Sequence, residues 1–229
     1  MKNVSIPKSA FDFIKLVAKN NNREWFNKNK ERYLKEHAHL IAFADCLLEH
    51  MNTHDHIETA SGKESLFRIY NDIRFSKDKT PYKDHWAGSF KRATKKLRGG
   101  YYYHLQPENA YLAGGFFSPN AEDLKRIRQD IDLNYADWNR LLNRPSIKNT
   151  FGQLIGEEIV SAPRGYEKDH PAIKLLRHKR FYLKHRFTDE EVLAPGFAKH
   201  LSDTCKKLRP FFDYMSEVLT TDLNGEEIV

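Results

Sequence analysis

The sequence from Gly100 to Phe117, GYYYHLQPENAYLAGGFF, decides the fold of this chain. Two runs rich in aromatic and small residues flank Pro107-Glu108-Asn109. Proline and asparagine favour a turn, and the aromatic runs on either side favour strands. The segment therefore predicts a β-hairpin with strands over 100–106 and 110–117. Because a short turn joins antiparallel neighbours, the sheet that contains this hairpin is expected to be antiparallel.

Upstream of the hairpin, His85–Arg92 is a third strand candidate, and from Ser65 to Phe75 the residue types alternate with a period of two. Alternate residues of an extended chain lie on one face, about 6.6 Å apart. The core face predicted for this stretch comprises Phe67, Ile69, Ile73 and Phe75. Its predicted polar face comprises Arg68, Tyr70, Asp72 and Arg74. Phe181–Phe187 and Glu158–Ala162 are further strand candidates.

Apolar residues recur at three- and four-residue steps at both chain ends, which predicts helices near Ser9–Lys19, from Trp25 to Met51 and over Phe197–Leu219. Between them, Ser118-Pro119 predicts a helix start with serine as the N-cap. We predict an α+β fold in which an antiparallel sheet of four or more strands is covered by helices from both chain ends. No repeat or linker interrupts the sequence, so a single domain over 1–229 is expected.

The two cysteines, Cys46 and Cys205, are far apart and lie at helical spacing among apolar residues, where a free cysteine is usually a core residue. No apolar run approaches the roughly 20 residues that span a bilayer. The first residues lack the apolar run of a signal peptide. We therefore expect a cytoplasmic protein without a membrane segment.

The net charge of +7 is confined to one segment. The segment from Ser61 to His104 contains 11 basic residues (Lys and Arg) and 4 acidic residues (Asp and Glu). The rest of the chain contains 27 basic and 27 acidic residues. Such a local excess attracts phosphates, nucleic acids or acidic metabolites. The alternative is a solvated basic face that the acidic C-terminal region balances.

The ten residues from Arg74 to Lys83, RFSKDKTPYK, resemble the signature of the domain-of-unknown-function family 2461, a family of conserved cytoplasmic proteins. Similar agreement is found at Arg23–Phe26, Gly100–Tyr102, Gly114-Gly115, Ser118-Pro119, Pro163–Tyr166, Asp169–Pro171 and Leu208–Phe212. The similarity extends from about Phe11 to Leu219. This resemblance implies a single-domain fold, and it carries over no activity and no catalytic residue.

Cations that converge from a strand face and the following turn predict an anion site, because arginine can grip a phosphate or carboxylate with two hydrogen bonds. The candidate residues are Arg68, Asp72, Arg74, Lys77, Lys79, Lys83 and His104. In this set Asp72 would orient Arg74 or, with a raised pKa, serve as a base. His85 and His104, on candidate strands beside the basic face, are both candidate acid or base groups. The structural alternative is an ion-pair ladder and a charged turn, with the histidines as ordinary sheet residues.

Other motifs are weaker. The spacing of His50, His54 and His56 does not fit a structural zinc site, and no phosphate-binding glycine loop or catalytic motif is found. We therefore expect no metal and no cofactor. The basic run from Lys91 to Arg98 is interpreted as a solvated hairpin loop. Asp169-His170-Pro171 is interpreted as a helix cap, and the alternative is a catalytic Asp–His pair.

The leading functional hypothesis is binding of an anionic, phosphorylated small molecule around Arg68–Arg74. The sequence leaves open whether a reaction follows. The first alternative is a nucleic-acid-binding module that uses the same basic surface and the tyrosines. The second is a structural or interaction protein that has no ligand pocket.

Overall fold

The computed structural model of the chain describes residues 4–222 and 225–228. Over these residues it contains eleven helices and four strands. The helices are α1 (Lys8–Lys19), α2 (Arg23–Lys28), α3 (Lys30–Met51), α4 (Gly62–Ser65), α5 (Ala121–Leu133), α6 (Tyr135–Leu142), α7 (Pro145–Phe151), α8 (Ile173–Leu176), α9 (Asp189–Leu193), α10 (Phe197–Lys206) and α11 (Arg209–Thr220). The strands are β1 (Trp86–Lys91), β2 (Gly100–Leu105), β3 (Ala110–Phe116) and β4 (Phe181–Phe187).

The four strands form one antiparallel sheet in the order β1-β2-β3-β4, so each strand pairs with its neighbour in sequence. The predicted hairpin is β2–β3, and the backbone N–H of Asn109 donates to the Gln106 carbonyl across its turn at 3.0 Å. Glu108 lies in the left-handed region, with φ of 65°, which glycine and asparagine prefer. Its N–H donates to Oδ1 of Asp189 at 2.7 Å. The predicted α+β fold with an antiparallel sheet is confirmed.

The chain forms two compact units. The first comprises Met1–Phe90, Tyr102–Leu112 and Arg186–Asp203. The second comprises Lys91–Tyr101, Ala113–His185 and Thr204–Val229. That the whole chain acts as a single domain stays a prediction.

In the first unit, helices α1 and α3 cover the buried side chains of β1 and β2. The Trp86 ring stacks on Phe13 with centroids 6.2 Å apart. Tyr103 meets Phe43 edge-on at 6.3 Å, and its hydroxyl is 3.0 Å from Oγ of Ser65. A buried tyrosine hydroxyl needs such a partner, because an unpaired polar group in the core costs free energy.

In the second unit, α11 supplies aromatic rings to the core. The Phe212 ring meets Tyr101 at 4.8 Å, edge to face, an arrangement that aromatic pairs favour. The Phe211 ring lies 6.2 Å from Phe116. Both cysteines of the chain are buried, in agreement with the prediction that they are core residues.

Arg92 corrects the interpretation of the basic run from Lys91 to Arg98 as a solvated loop. Its side chain is only 1% exposed. The guanidinium donates to Asp213 at 3.1 Å and to the hydroxyl of Ser216 at 3.3 Å, and it lies 5.1 Å from the Phe212 ring centroid. The sequence does not reveal these partners, because they lie more than a hundred residues away in α11.

The stretch from Ser65 to Phe75 is extended only in part. It forms two isolated antiparallel bridges, Leu66 to Gly88 and Tyr70 to Tyr82. Ile69 is buried as predicted, but Phe67 is 44% exposed and Phe75 is 95% exposed. The predicted core face is therefore wrong at these two phenylalanines. A segment that pairs with its neighbours only at isolated bridges is not a continuous strand, so its side chains do not alternate regularly between core and solvent.

Smaller corrections concern helix and strand ends. Asn120, not Ser118, caps α5, and its side chain accepts the N–H of Asp123 at 2.8 Å. The predicted strand over 158–162 is reduced to one bridge between Glu158 and His178. The short helices α4 and α9 were not predicted, and the single C-terminal helix divides into α10 and α11.

Phe75→Ala is expected to change the free energy of unfolding by less than about 0.5 kcal/mol, because the ring is in solvent. The matched substitution Phe90→Ala is expected to cost about 3–5 kcal/mol, because that ring is buried beside Tyr103. Urea unfolding of both variants measures the difference. Equal losses would mean that Phe75 packs against the protein in solution.

Candidate functional site

Residues 68–83, here called the basic loop, precede β1 in the chain and fold back on themselves through the Tyr70–Tyr82 bridge. The N–H of Phe67 donates to the Ala87 carbonyl at 2.9 Å, and the N–H of Lys83 donates to the Ile69 carbonyl at 2.7 Å. These bonds anchor the two ends of the loop. Six of the seven predicted site residues lie within it.

The charged side chains of the basic loop do not all converge. Arg74 forms a two-point ion pair with Asp72, with Nε to Oδ1 at 2.9 Å and a terminal nitrogen to Oδ2 at 2.7 Å. The hydrogen bonds from Arg74 lower the pKa of Asp72. This ion pair fits both the predicted role of Asp72 in orienting Arg74 and the structural alternative of an ion pair in a charged turn. Within the described part of the chain, Arg68 and Lys77 form no ion pair.

The other two lysines of the basic loop bind its own backbone. Nζ of Lys79 donates to the Ile73 carbonyl and Nζ of Lys83 donates to the Tyr70 carbonyl, each at 2.8 Å. Burial, and then the charge of Arg68, lower the pKa of Lys83. Both ammonium groups thus hold the loop conformation.

A cleft of about 320 Å³ opens beside the basic loop. We call it the α2 cleft, because helix α2 contributes one wall. Its lining residues are Arg23, Asn27, Tyr70, Asn71, Ile73, Pro81 and Tyr82. None of them is acidic, and the structure gives Arg23 and Asn27 no hydrogen-bond partner among the described residues.

The Tyr82 ring forms the floor of this region. It stacks on Phe26 of α2 with centroids 4.0 Å apart and lies 5.5 Å from the Tyr70 ring. Burial and then Tyr70 raise the pKa of Tyr82, while Arg23 opposes them. Asn21 fixes the backbone of Tyr82 by accepting its N–H at 3.0 Å and donating to its carbonyl at 2.8 Å.

His104 belongs to a different constellation, here called the imidazole network: Asp84, His85, Tyr102, His104 and Gln106. His104 is 7% exposed, with its ring 4.1 Å from the His85 ring and 4.6 Å from Tyr111. Its Nδ1 is 3.1 Å from the Tyr102 hydroxyl, and its Nε2 is 3.1 Å from Oε1 of Gln106.

The hydrogen-bond acceptors around His104 decide which of its ring nitrogens carries the proton. Nε2 of Gln106 donates to Asp84 at 3.0 Å, which leaves the amide oxygen of Gln106 facing His104. An amide oxygen only accepts, so Nε2 of His104 carries the proton. Nδ1 of the neutral ring then accepts from Tyr102. Burial, and then Tyr111, raise the pKa of Tyr102, so its hydroxyl keeps its proton.

The family model described as "Conserved hypothetical protein (DUF2461)" matches residues 9–214. The chain belongs to this family. No curated protein and no solved structure matches the sequence. The basic loop, the α2 cleft and the imidazole network all lie within the matched residues, so each is part of the family domain. The predicted resemblance is thereby confirmed.

Within the family region, His170 of the Asp169-His170-Pro171 motif pairs with an aspartate other than its neighbour Asp169. Nε2 of His170 bonds to Asp132 of α5 at 2.9 Å, not to Asp169. Nδ1 of the same ring accepts the N–H of Ala172 at 3.1 Å. Both ring nitrogens are therefore occupied in binding the loop before α8 to α5.

Sequence reasoning missed Arg23, Asn27 and Tyr82 as site residues, because the α2 cleft brings α2 to a loop about fifty residues away. The available signals were the resemblance at Arg23–Phe26 and the signature Arg74–Lys83, which contains Tyr82. Among the described residues, no three His, Cys, Asp or Glu side chains come together as a metal site. No helix in the described part of the chain is both long and apolar enough to cross a membrane.

In their neutral forms His104 and His170 are expected to carry their protons on Nε2, because their Nδ1 atoms accept from Tyr102 and from the N–H of Ala172. Long-range ¹H–¹⁵N NMR spectra of the imidazole rings distinguish the two tautomers. Gln106→Leu removes the acceptor of His104 and serves as the control, since it leaves His170 unchanged. A protonated Nδ1 on neutral His104 would contradict the direction of the Tyr102 bond.

Proposed function

We propose that the protein binds a small anionic ligand, such as a phosphate ester, in the α2 cleft beside the basic loop. The observation that carries this proposal is the lining of the cleft. Its polar side chains include the guanidinium of Arg23, the amide of Asn27 and the hydroxyl of Tyr70, and no carboxylate is among them. A concave site with free donors and no acid favours an anion.

The size of the cleft supports a small ligand. A volume of about 320 Å³ lies at the lower end of the range of roughly 300–1,000 Å³ that is typical of small-molecule sites. The rings of Tyr70 and Tyr82 offer apolar contact area beside Arg23. A phosphate group attached to a compact organic part would use both kinds of surface.

The basic loop contributes charge more than direct contacts. Arg68 and Lys77 form no ion pair within the described chain, so their charges are available to attract an anion from solution. Arg74 reaches a ligand only in the orientation that Asp72 gives it. Lys79 and Lys83 hold the loop that forms the second wall of the α2 cleft. In this proposal His104 has no contact with the ligand.

Nucleic-acid binding is the second candidate, and the position of Phe75 favours it. This ring is 95% exposed, and the guanidinium of Arg74 lies 5.9 Å from its centroid. Exposed aromatic rings among cations can stack on unpaired bases. The tyrosines support this candidate less, because Tyr101 and Tyr103 are buried. The alternative of an interaction protein without a pocket is less favoured, because the α2 cleft lies beside the basic loop.

Arg23→Gln is expected to weaken the binding of phosphate-bearing ligands about 10- to 150-fold, because a hydrogen bond to a charged group contributes about 1.5–3 kcal/mol. A ligand at 100 times its dissociation constant adds about 2.7 kcal/mol, or about 5–10 °C in melting temperature. Thermal unfolding with pyrophosphate, nucleotides and sugar phosphates measures both effects.

Lys15→Gln is the matched control, since this exposed lysine of α1 lies outside the cleft and has the same charge. Arg74→Ala and Lys79→Ala are expected to keep the fold, because exposed charges contribute about 0–1 kcal/mol, and to lose the stabilisation by ligand. The proposal fails if none of these anions raises the melting temperature. It also fails if Arg23→Gln and Lys15→Gln reduce the ligand-induced rise in melting temperature equally.

Binding of single-stranded RNA or DNA separates the second candidate from the first. A binder that neutralises several phosphates is expected to lose about 10³–10⁵ in affinity between 50 and 200 mM salt, whereas a pocket ligand loses much less. Phe75→Ala is expected to reduce such binding about 5- to 150-fold, because stacking on one ring contributes about 1–3 kcal/mol. Fluorescence anisotropy measures both, and absence of binding at 50 mM salt removes this candidate.

A further inference from the structure

We propose that His85 is a proton-transfer residue whose Nε2 accepts a proton from a hydroxyl group, either of water or of a hydroxyl-bearing substrate. This inference rests on the surroundings of the two ring nitrogens of His85. Nδ1 lies beside the carboxylate of Asp84, and Nε2 has no hydrogen-bond partner among the described residues. The inference is independent of the anion site, because it uses none of the residues that line the α2 cleft.

Asp84 fixes the tautomer of His85. Its Oδ1 lies 3.0 Å from Nδ1 of His85, and a carboxylate oxygen only accepts hydrogen bonds. Nδ1 therefore carries the proton, and the lone pair of the neutral ring is on Nε2. The structure gives this nitrogen no hydrogen-bond partner among the described residues. A carboxylate that orients an imidazole in this way is the arrangement that general-base histidines use.

Gln106 holds the carboxylate in place. The second oxygen of Asp84 accepts from Nε2 of Gln106 at 3.0 Å. The amide oxygen of Gln106 accepts in turn from His104 at 3.1 Å and from the side chain of Asn109 at 2.9 Å. In the orientation that makes both of these hydrogen bonds, Asp84 has one oxygen on Gln106 and the other on His85.

Access distinguishes the two imidazoles. The His85 side chain is 21% exposed, whereas both nitrogens of His104 are hydrogen-bonded and the residue is almost fully buried. The His104 ring, itself stacked on Tyr111, packs against His85 at 4.1 Å and restricts its motion. His85 is thus the member of the network that a molecule from solution can reach, and His104 is a positioning residue.

The proton-transfer step needs no cofactor. The O–H bond of the hydroxyl group breaks, its proton forms a bond with Nε2 of His85, and the electron pair stays on the oxygen. The ring becomes an imidazolium with both nitrogens protonated. The negative charge of Asp84 stabilises that cation at hydrogen-bond distance. In the reverse direction the same nitrogen returns the proton.

The test uses the fact that His85 and Gln106 each bond one of the two carboxylate oxygens of Asp84. In Asp84→Asn one position becomes an amide nitrogen, and Gln106 needs the remaining oxygen because its own NH₂ group can only donate. The new amide nitrogen then faces Nδ1 of His85 and donates to it. His85 is expected to change to the tautomer with the proton on Nε2, and the exposed nitrogen loses its lone pair.

The double variant Asp84→Asn with Gln106→Glu is expected to restore the original tautomer. The carboxylate at position 106 accepts from the amide nitrogen of Asn at position 84, which turns the amide oxygen back towards His85. The same carboxylate still accepts from His104 and Asn109. The net charge of the network is also that of the wild type. A purely structural role for Asp84 predicts no such reversal.

Two measurements on the full-length protein follow His85 directly. Long-range ¹H–¹⁵N NMR spectra report the tautomer. Diethyl pyrocarbonate reports the lone pair, because Nε2 attacks its carbonyl carbon and forms a C–N bond as ethyl carbonate departs, and peptide mass spectrometry locates the product. His39, an exposed histidine of α3, is the internal reference. We expect Asp84→Asn to slow modification of His85 relative to His39 by at least about tenfold, and the double variant to recover it to within about twofold.

The wild-type spectrum decides the proposal even if a variant fails to fold. A proton on Nε2 of neutral His85 in the wild type overturns it. So does a folded Asp84→Asn variant in which the tautomer and the rate of modification are unchanged. Recovery in the double variant, together with loss in the single one, supports it.

Discussion

The alternation of side chains along β2 is the constraint on which the rest of the structure depends. Five successive residues of this strand are large, and the backbone sends Tyr101, Tyr103 and Leu105 into the core and Tyr102 and His104 to the opposite face. The core set meets rings from the helices. The other set packs against the rings of Tyr111 and His85 and is also held by hydrogen bonds. One strand thus supplies both the packing of the protein and the centre of its imidazole network.

Much of the fold could be predicted from local patterns. The turn between β2 and β3 and the apolar stripe of α1 depend on residues close in sequence, and both were located to within one or two residues. The prediction was wrong where a pattern lacked a structural partner. Phe75 has the period of a buried strand residue, but no neighbouring strand continues beside it, so the ring remains in solvent. Ser118 has the residue type of a cap, but Asn120 is nearer to the first helical turn.

The candidate sites were harder to predict, because their partners are distant. The basic loop was evident from its charge, yet the wall that makes it concave comes from α2. His104 was named as a candidate, but the sequence does not indicate that Gln106 fixes its proton. The excess of positive charge was also only a partial guide. Arg92 belongs to the same basic segment, and it is a buried core residue bound to Asp213.

The turn of the β2–β3 hairpin has a second consequence. Gln106 closes that turn through its carbonyl and, through its side chain, sets the orientation of Asp84 and His104. Glu108 in the same turn is tied to Asp189 at the start of α9. The conformation of the hairpin turn is therefore coupled, through Gln106, to the side chains around the two imidazoles. A change in loop length there, or a molecule bound at the tip, is expected to move Gln106 and with it the hydrogen bonds of Asp84 and His104.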